Sequence, residues 1–171
     1  SVQTSRQTNA AAIAAGKMEI YEGSVEALPF ADNTFDKITT VESFYFWPKP
    51  QENLKEVRRV LKPGGTFLLI AEIYGHDGLS AEVRENIKRY HLYNPTPETF
   101  ETIFRNAGFP SVQVHIEKDH RWICIEGQKK QWPLAFLATI LRRIAGACTW
   151  RARLDDTTTG IPAAHSGPPK A

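Results

Sequence analysis

The segment at residues 35–74, FDKITTVESFYFWPKPQENLKEVRRVLKPGGTFLLIAEIY, decides how the rest of the chain is read. Residues 35–41 are few, rich in β-branched side chains and followed by Glu42, which is the composition of a strand. Over 51–61, Leu54, Val57, Val60 and Leu61 recur at helical spacing with charge between them, so a helix with one apolar face is expected. Pro63-Gly64-Gly65 is expected to end it, because Pro cannot continue a helix and Gly supplies the exit angles. Residues 66–71, TFLLIA, are almost unbroken apolar, as in a strand buried on both faces. Strand, helix and strand make a βαβ unit with a right-handed crossover. Glu42 and Glu72 stand where the two strands end, and the carboxyl edge of an open α/β sheet is where ligands bind.

Composition narrows the class. A chain of 171 residues with 42% hydrophobic content can build one domain with a core. A net charge of +2 announces no nucleic-acid surface. Two cysteines, Cys124 and Cys148, are too few for a disulfide framework and read as reduced thiols of a cytoplasmic protein. No signal peptide opens the chain, no apolar run reaches the ~20 residues of a membrane span, and no metal site is expected. The first residue is Ser, which suggests processing or a fragment.

The loop EGSVEALPFADNTF at 22–35, the strand ending VES, the helix ending RRVLKPGG and the strand FLLIAE together resemble class I S-adenosylmethionine-dependent methyltransferases. The closest group is the small-molecule branch that includes the ubiquinone/menaquinone-biosynthesis type. The resemblance spans residues 4–127 and implies a Rossmann-like α/β sheet closed by a C-terminal antiparallel hairpin. It also implies that the family's first strand, first helix and second strand, with the glycine-rich cofactor turn and the ribose-binding acid, would precede residue 1. Gly64-Gly65 does not replace that turn, since it follows a helix and precedes a strand.

By the same resemblance, residues 4–15 are a helix stopped at Gly16, and residues 18–22 are a short strand in which Met18 and Ile20 alternate with Glu19 and Tyr21. The loop after it would meet the adenine ring through Ser24 and Val25. Family members usually carry Asp where this chain has Ser24, so a charged hydrogen bond would be replaced by a neutral, weaker one. Leu28 and Phe30 would plug the core. Glu42 and Ser43 would lie at the methionine end of S-adenosylmethionine. The aromatic run Phe44-Tyr45-Phe46-Trp47 suits a sulfonium cation or a flat substrate, and equally suits packing. Past Glu72, the candidates for acid–base work on a small-molecule methyl acceptor are Tyr74, His76, Tyr90 and His91, with His76 and Tyr74 closest to the strand end, and Glu72 itself.

A helix is expected over 80–90, and another opens at Thr96-Pro97-Glu98, carries Phe100, Ile103, Phe104 and Ala107 on one face, and closes at Gly108. Residues 111–116 and 121–127 form the hairpin, turning at Lys118-Asp119. The domain is therefore set at 1–128. Residues 129–150 are expected to add an amphipathic helix with Leu134, Leu137, Leu141, Ile144 and Cys148 on one stripe, and 151–171 a disordered tail.

The resembled fold orders its strands 3-2-1-4-5-7-6, so the strand at 18–22 would stand ~14 Å from the strand at 35–41, with two slots between them. It could move inward, the exposed edge could pair with a second molecule, or the N-terminal part could stay loose. The expectation is that 35–127 keeps the family arrangement and 1–30 is least stable. Three functions remain open. The first is methyl transfer to a small molecule, impaired without the glycine-rich loop. The second is a non-catalytic remnant or binding module of the same fold. A nicotinamide-dependent oxidoreductase is the third, and ALPF-x-D and RVLKPGG speak against it.

Overall fold

The computed structural model describes residues 2–117 and 122–131. Two short helices, α1 (Val2–Thr8) and α2 (Ala10–Ala14), break at Asn9 where one helix was expected. Residues 18–22 are not a strand. Their alternation is real, but a strand needs a partner ladder, and β1 (Phe35–Val41) pairs on one side only among the described residues. The segment is held instead by side chains: Arg6 donates to the Ile20 carbonyl at 3.1 Å, and Tyr21 meets Glu19 and the edge of Phe30.

From β1 the chain passes a 3-10 turn at Phe44–Phe46 and enters α3 (Pro50–Val60). Pro in the first turn suits a helix start. Leu54, Val57 and Val60 are buried on its inner face. The helix runs straight into β2 (Leu61–Ala71), so Pro63-Gly64-Gly65 does not end it as expected. The triplet instead forms an irregularity inside β2, where Phe35 pairs with Leu61 and Lys37 already pairs with Thr66. Gly65 is required there by space. A Cβ at that position would stand 2.9 Å from the Asp36 and Lys62 carbonyl oxygens and from Leu61.

Beyond β2 come α4 (Ala81–Tyr90), α5 (Pro97–Asn106), β3 (Ser111–Glu117) and β4 (Trp122–Gln128). Ser80 and Thr96 cap α4 and α5 through their hydroxyls, the second as the sequence indicated. The sheet order is β1-β2-β4-β3, with β1 and β2 parallel and the rest antiparallel. This equals positions 4-5-7-6 of the order given above for the resembled fold. Phe67, Leu69, Ala71, Ile123 and Ile125 are the buried centre of one sheet face. The rings of Phe104 and Phe109 lie against Phe67 at 5.6 and 6.3 Å. On the opposite face Leu68 and Ile70 are only half-buried and Val41 is 55% exposed. All of the described residues fall within one compact unit.

The turn at Lys118-Asp119, most of the expected helix at 129–150 and the tail at 151–171 lie outside the described residues. Residues 129–131 follow β4 without regular structure.

Amide exchange tests the N-terminal reading. Residues 18–22 make no backbone N–H bonds among the described residues, whereas 67–71 lie in the central strand. The expected outcome is near-unprotected exchange at 18–22 and strong protection at 67–71 in the same sample.

Candidate functional site

The site is built where β1 and β2 end side by side. Glu42, the first residue after β1, has φ +53, a left-handed conformation that costs a residue with a Cβ of order 1 kcal/mol and points to an over-determined position. Its environment supplies the determination. The Glu42 N–H donates to the Ile70 carbonyl at 3.0 Å, and its Oε1 accepts from the Glu72 N–H at 2.6 Å. The carboxylate therefore ties the ends of the two strands together. Next to it, the Thr40 and Ser43 hydroxyls share a hydrogen bond. Burial, followed by the nearby Glu42 carboxylate, pushes the Tyr45 phenol well above its ordinary value.

The two glutamates thus differ. Glu42 is half-buried and its carboxylate is engaged, whereas the Glu72 side chain is exposed at the edge of a pocket of about 130 Å³ that it shares with Ile73, His76 and Leu79. The aromatic run divides in the same way. Phe44 and Tyr45 are buried, and Phe44 packs on Phe100 and Trp47. Phe46 is 67% exposed. Packing claims the first two rings, and Phe46 is the one open to a ligand.

The loop with Ser24 and Val25 is held by α3. Ser24 Oγ accepts from the Glu26 N–H at 3.2 Å, and Ser24 forms a β-bridge with Ala27, so the turn uses one lone pair of the hydroxyl. Val25 and Leu28 pack on the core. Phe30 does not plug that core as expected; it sits edge-on between Tyr21 and Phe35, at 5.1 and 4.8 Å. Two half-buried residues of α3 grip the loop. Glu56 accepts from the Leu28 N–H at 2.8 Å, and Arg59 donates to the carbonyls of Leu28 and Phe30 and to Asp32. Sequence reasoning missed this clamp. The signal was available in Glu56 and Arg59, three apart on the polar side of the helix, one turn before the Gly pair.

On the far side of the β2 end, Gly75, His76, Asp77, Arg84, Lys88 and Glu98 line a cleft of about 830 Å³. Tyr74 is buried and lies against His76, so it supports the imidazole and is not itself open to an acceptor. Tyr90 and His91 lie apart from this cleft, against the aromatic groove with Phe46 and Tyr93. No group of three or more His, Cys, Asp or Glu among the described residues could hold a metal. No helix among them is long and apolar enough to cross a membrane.

Arg59, first, and then the Leu28 N–H hold the Glu56 carboxyl below the usual glutamate range, against the opposing effect of burial. A lowered folded pKa means that the stabilisation is complete above the ordinary value and is lost as pH falls through the lowered one. Protection of the Leu28 amide, corrected for its intrinsic rate, should be complete above the ordinary glutamate value of about 4.3 and be lost only as pH falls below it. In Glu56→Gln this pH dependence should disappear.

A second measurement separates the glutamates. Glu42→Ala removes an acceptor and leaves a Cβ in the left-handed region, so it should cost roughly 1–3 kcal/mol in urea unfolding. Glu72→Ala should change stability by less than about 0.5 kcal/mol, as an exposed side chain does.

Comparison with known proteins agrees with this geometry. A methyltransferase domain family matches residues 1–69. The chain is 34% identical over 102 residues to a chloroplastic 2-methyl-6-phytyl-1,4-hydroquinone methyltransferase of Oryza sativa, covering 60% of this chain and 30% of that protein. It is 31% identical over 125 residues to the ubiquinone/menaquinone biosynthesis C-methyltransferase of Klebsiella pneumoniae, covering 58% of this chain and 49% of that protein. The chain thus spans half or less of these relatives. Among solved structures, a SAM-dependent methyltransferase of Thermotoga maritima superposes with a TM-score of 0.55 and 25% identity, covering 70% of this chain and 69% of that one.

Proposed function

We propose that the chain, whose residues 1–69 match a methyltransferase domain family, forms the acceptor side of a site for methyl transfer from S-adenosylmethionine to a small molecule. The observation that carries this reading is the tie between the ends of β1 and β2, where Glu42 is held left-handed and bonded to the Glu72 N–H. A hydroquinone-type acceptor is the class suggested by the relatives named above.

The residues present suit part of the cofactor. Glu42 and Ser43 stand at the strand end where the ammonium of the methionine end would lie. Ser24 can still donate from its hydroxyl, and Val25 offers an apolar side chain to the adenine. When bound, the cofactor would supply an electrophilic methyl group on a sulfonium. The chain's own task is then placement: keeping the two strand ends fixed, the adenine loop clamped through Arg59 and Glu56, and the acceptor beside them.

In this 171-residue polypeptide the grip on the cofactor is weak. Ser24 stands where a carboxylate is usual, its hydroxyl already serves the turn, and no glycine-rich strand-to-helix turn occurs among the described residues. Each missing charged hydrogen bond is worth about 1.5–3 kcal/mol, so a micromolar site becomes millimolar or weaker. This supports impaired transfer, and its limit is a binding module that no longer transfers methyl groups.

Calorimetry on the polypeptide tests both parts. S-adenosylhomocysteine should bind with a dissociation constant of roughly millimolar, and NADH should not bind. Micromolar binding of S-adenosylhomocysteine would overturn the impairment, and binding of NADH in preference to it would overturn the methyltransferase reading.

A further inference from the structure

The loop after β2 holds one imidazole in a fixed orientation and leaves one of its nitrogens without a protein partner among the described residues. The Gly78 N–H donates to His76 Nδ1 at 3.1 Å. The ring lies against buried Tyr74, with centroids 4.5 Å apart. A Cβ at position 78 would stand 3.1 Å from Nδ1 and 3.2 Å from Cε1, so a larger residue there would push the ring by a few tenths of an ångström.

The loop itself is strapped. Arg84 donates to the Asp77 carbonyl at 2.8 Å and to the Leu79 carbonyl at 3.0 Å, on either side of Gly78. The Gly75 N–H donates to the Pro95 carbonyl at 2.9 Å. The imidazole is therefore oriented before any ligand arrives, which is what a binding group requires to avoid an ordering cost.

The hydrogen bond fixes the chemistry of the ring. A backbone N–H can donate only to a nitrogen that carries a lone pair, so Nδ1 is unprotonated and the neutral ring bears its hydrogen on Nε2. Such a ring is a donor. Its Nδ1 lone pair is engaged by Gly78, which leaves Nε2–H as the group available to a ligand. The sequence suggested His76 as an acid–base candidate; this geometry favours a hydrogen-bond donor role for it.

We propose that His76 binds an oxyanion, its Nε2–H donating to the oxygen of a singly charged, phenolate-type acceptor held in the 830 Å³ cleft beside it. The cleft walls argue for a single charge. Arg84 and Lys88 are offset there by Asp77 and Glu98, so the lining is near balance and a dianion such as phosphate would not be selected. On the other side of His76, the 130 Å³ pocket carries Glu72, which repels an anion and leaves the cleft as its seat. The inference rests on the methyltransferase reading only in naming the ligand a methyl acceptor. The binding step needs no cofactor.

The test is a titration of the polypeptide with 4-nitrophenolate at pH 8, without S-adenosylmethionine, followed by absorbance and by the imidazole nitrogen resonances. His76 should show an unprotonated Nδ1 and a protonated Nε2, and the Nε2 resonance should move on binding. His76→Gln keeps an N–H donor and should bind within about threefold of the parent, whereas His76→Phe keeps a ring without a donor and should bind roughly ten- to a hundredfold more weakly. Equal binding by the parent and the Phe variant, equal losses in both variants, a proton on Nδ1, or no saturable binding would each overturn the proposal. Phenolate binding together with failure to bind S-adenosylhomocysteine would leave it standing while removing the cofactor from the reading.

Discussion

One ammonium closes the crossing on which the sheet depends. α3 passes into β2 without a loop, so its last carbonyls have no glycine cap to turn back on. Lys129, just past β4, fills that place. Its Nζ donates to the carbonyls of Leu61 and Arg58 at 2.7 and 2.8 Å and to Asn33 Oδ1 at 2.9 Å. Desolvation lowers the lysine's pKa, which measures the cost of placing the charge there. The carbonyl end of a helix favours a cation, and these oxygens replace its water. The Asn33 and Thr34 N–H groups take the carbonyls of Arg59 and Val60, and the Lys129 backbone pairs with Gly64 and Gly65. One residue thus joins the end of β4, the irregularity in β2, the end of α3 and the loop before β1.

The same helix orders the ligand edge, and magnitudes show which contacts matter. The ion pair between Arg59 and Asp32 is 2.7 Å long, but the Asp32 side chain is 68% exposed, so by itself it contributes at most a fraction of a kcal/mol. Glu56 is 18% exposed and accepts from a backbone N–H, a bond that is costly to leave unmade. Arg59 likewise acts more through the two carbonyls it satisfies than through its charge. Glu42 repeats the pattern at the strand ends, as a carboxylate spent on a backbone amide. Charged side chains here serve as fasteners for irregular backbone, which places the loop and the strand ends beside the site.

The regular part of the fold was legible because each local signal agreed with its surroundings. The apolar stripe of α3, the run at 66–71, the Thr96 cap and the hairpin of β3 and β4 all found the partners they implied. The strand expected at 18–22 failed for the complementary reason: alternation of Met18 and Ile20 describes a side-chain pattern, but a strand is made by a ladder, and β1 offers it none. Pro63-Gly64-Gly65 was misplaced because the breaker rule concerns helices, and this helix had already turned at Leu61. Of the site, the positions of Glu42, Glu72 and His76 at the carboxyl edge could be read from the sequence. Their states could not, since whether a carboxylate is engaged or an imidazole donates depends on neighbours such as Glu72 N–H and Gly78 N–H that no spacing reveals.

The two sides of the site are built to different stiffness, and this bears on what the domain can do. Methyl transfer needs no protein nucleophile; its rate comes from holding donor and acceptor in line. The loop proposed to meet the acceptor is tied at several points: Arg84, Gly75 and Gly78 hold it, and Tyr74 backs the imidazole. On the cofactor side, the stretch before the clamped loop relies on exposed contacts such as Arg6 to Ile20. The proposed acceptor contact thus draws on residues 74–80, whose backbone is tied by Arg84 and by the Gly75 N–H, and it does not depend on how firmly the cofactor is held.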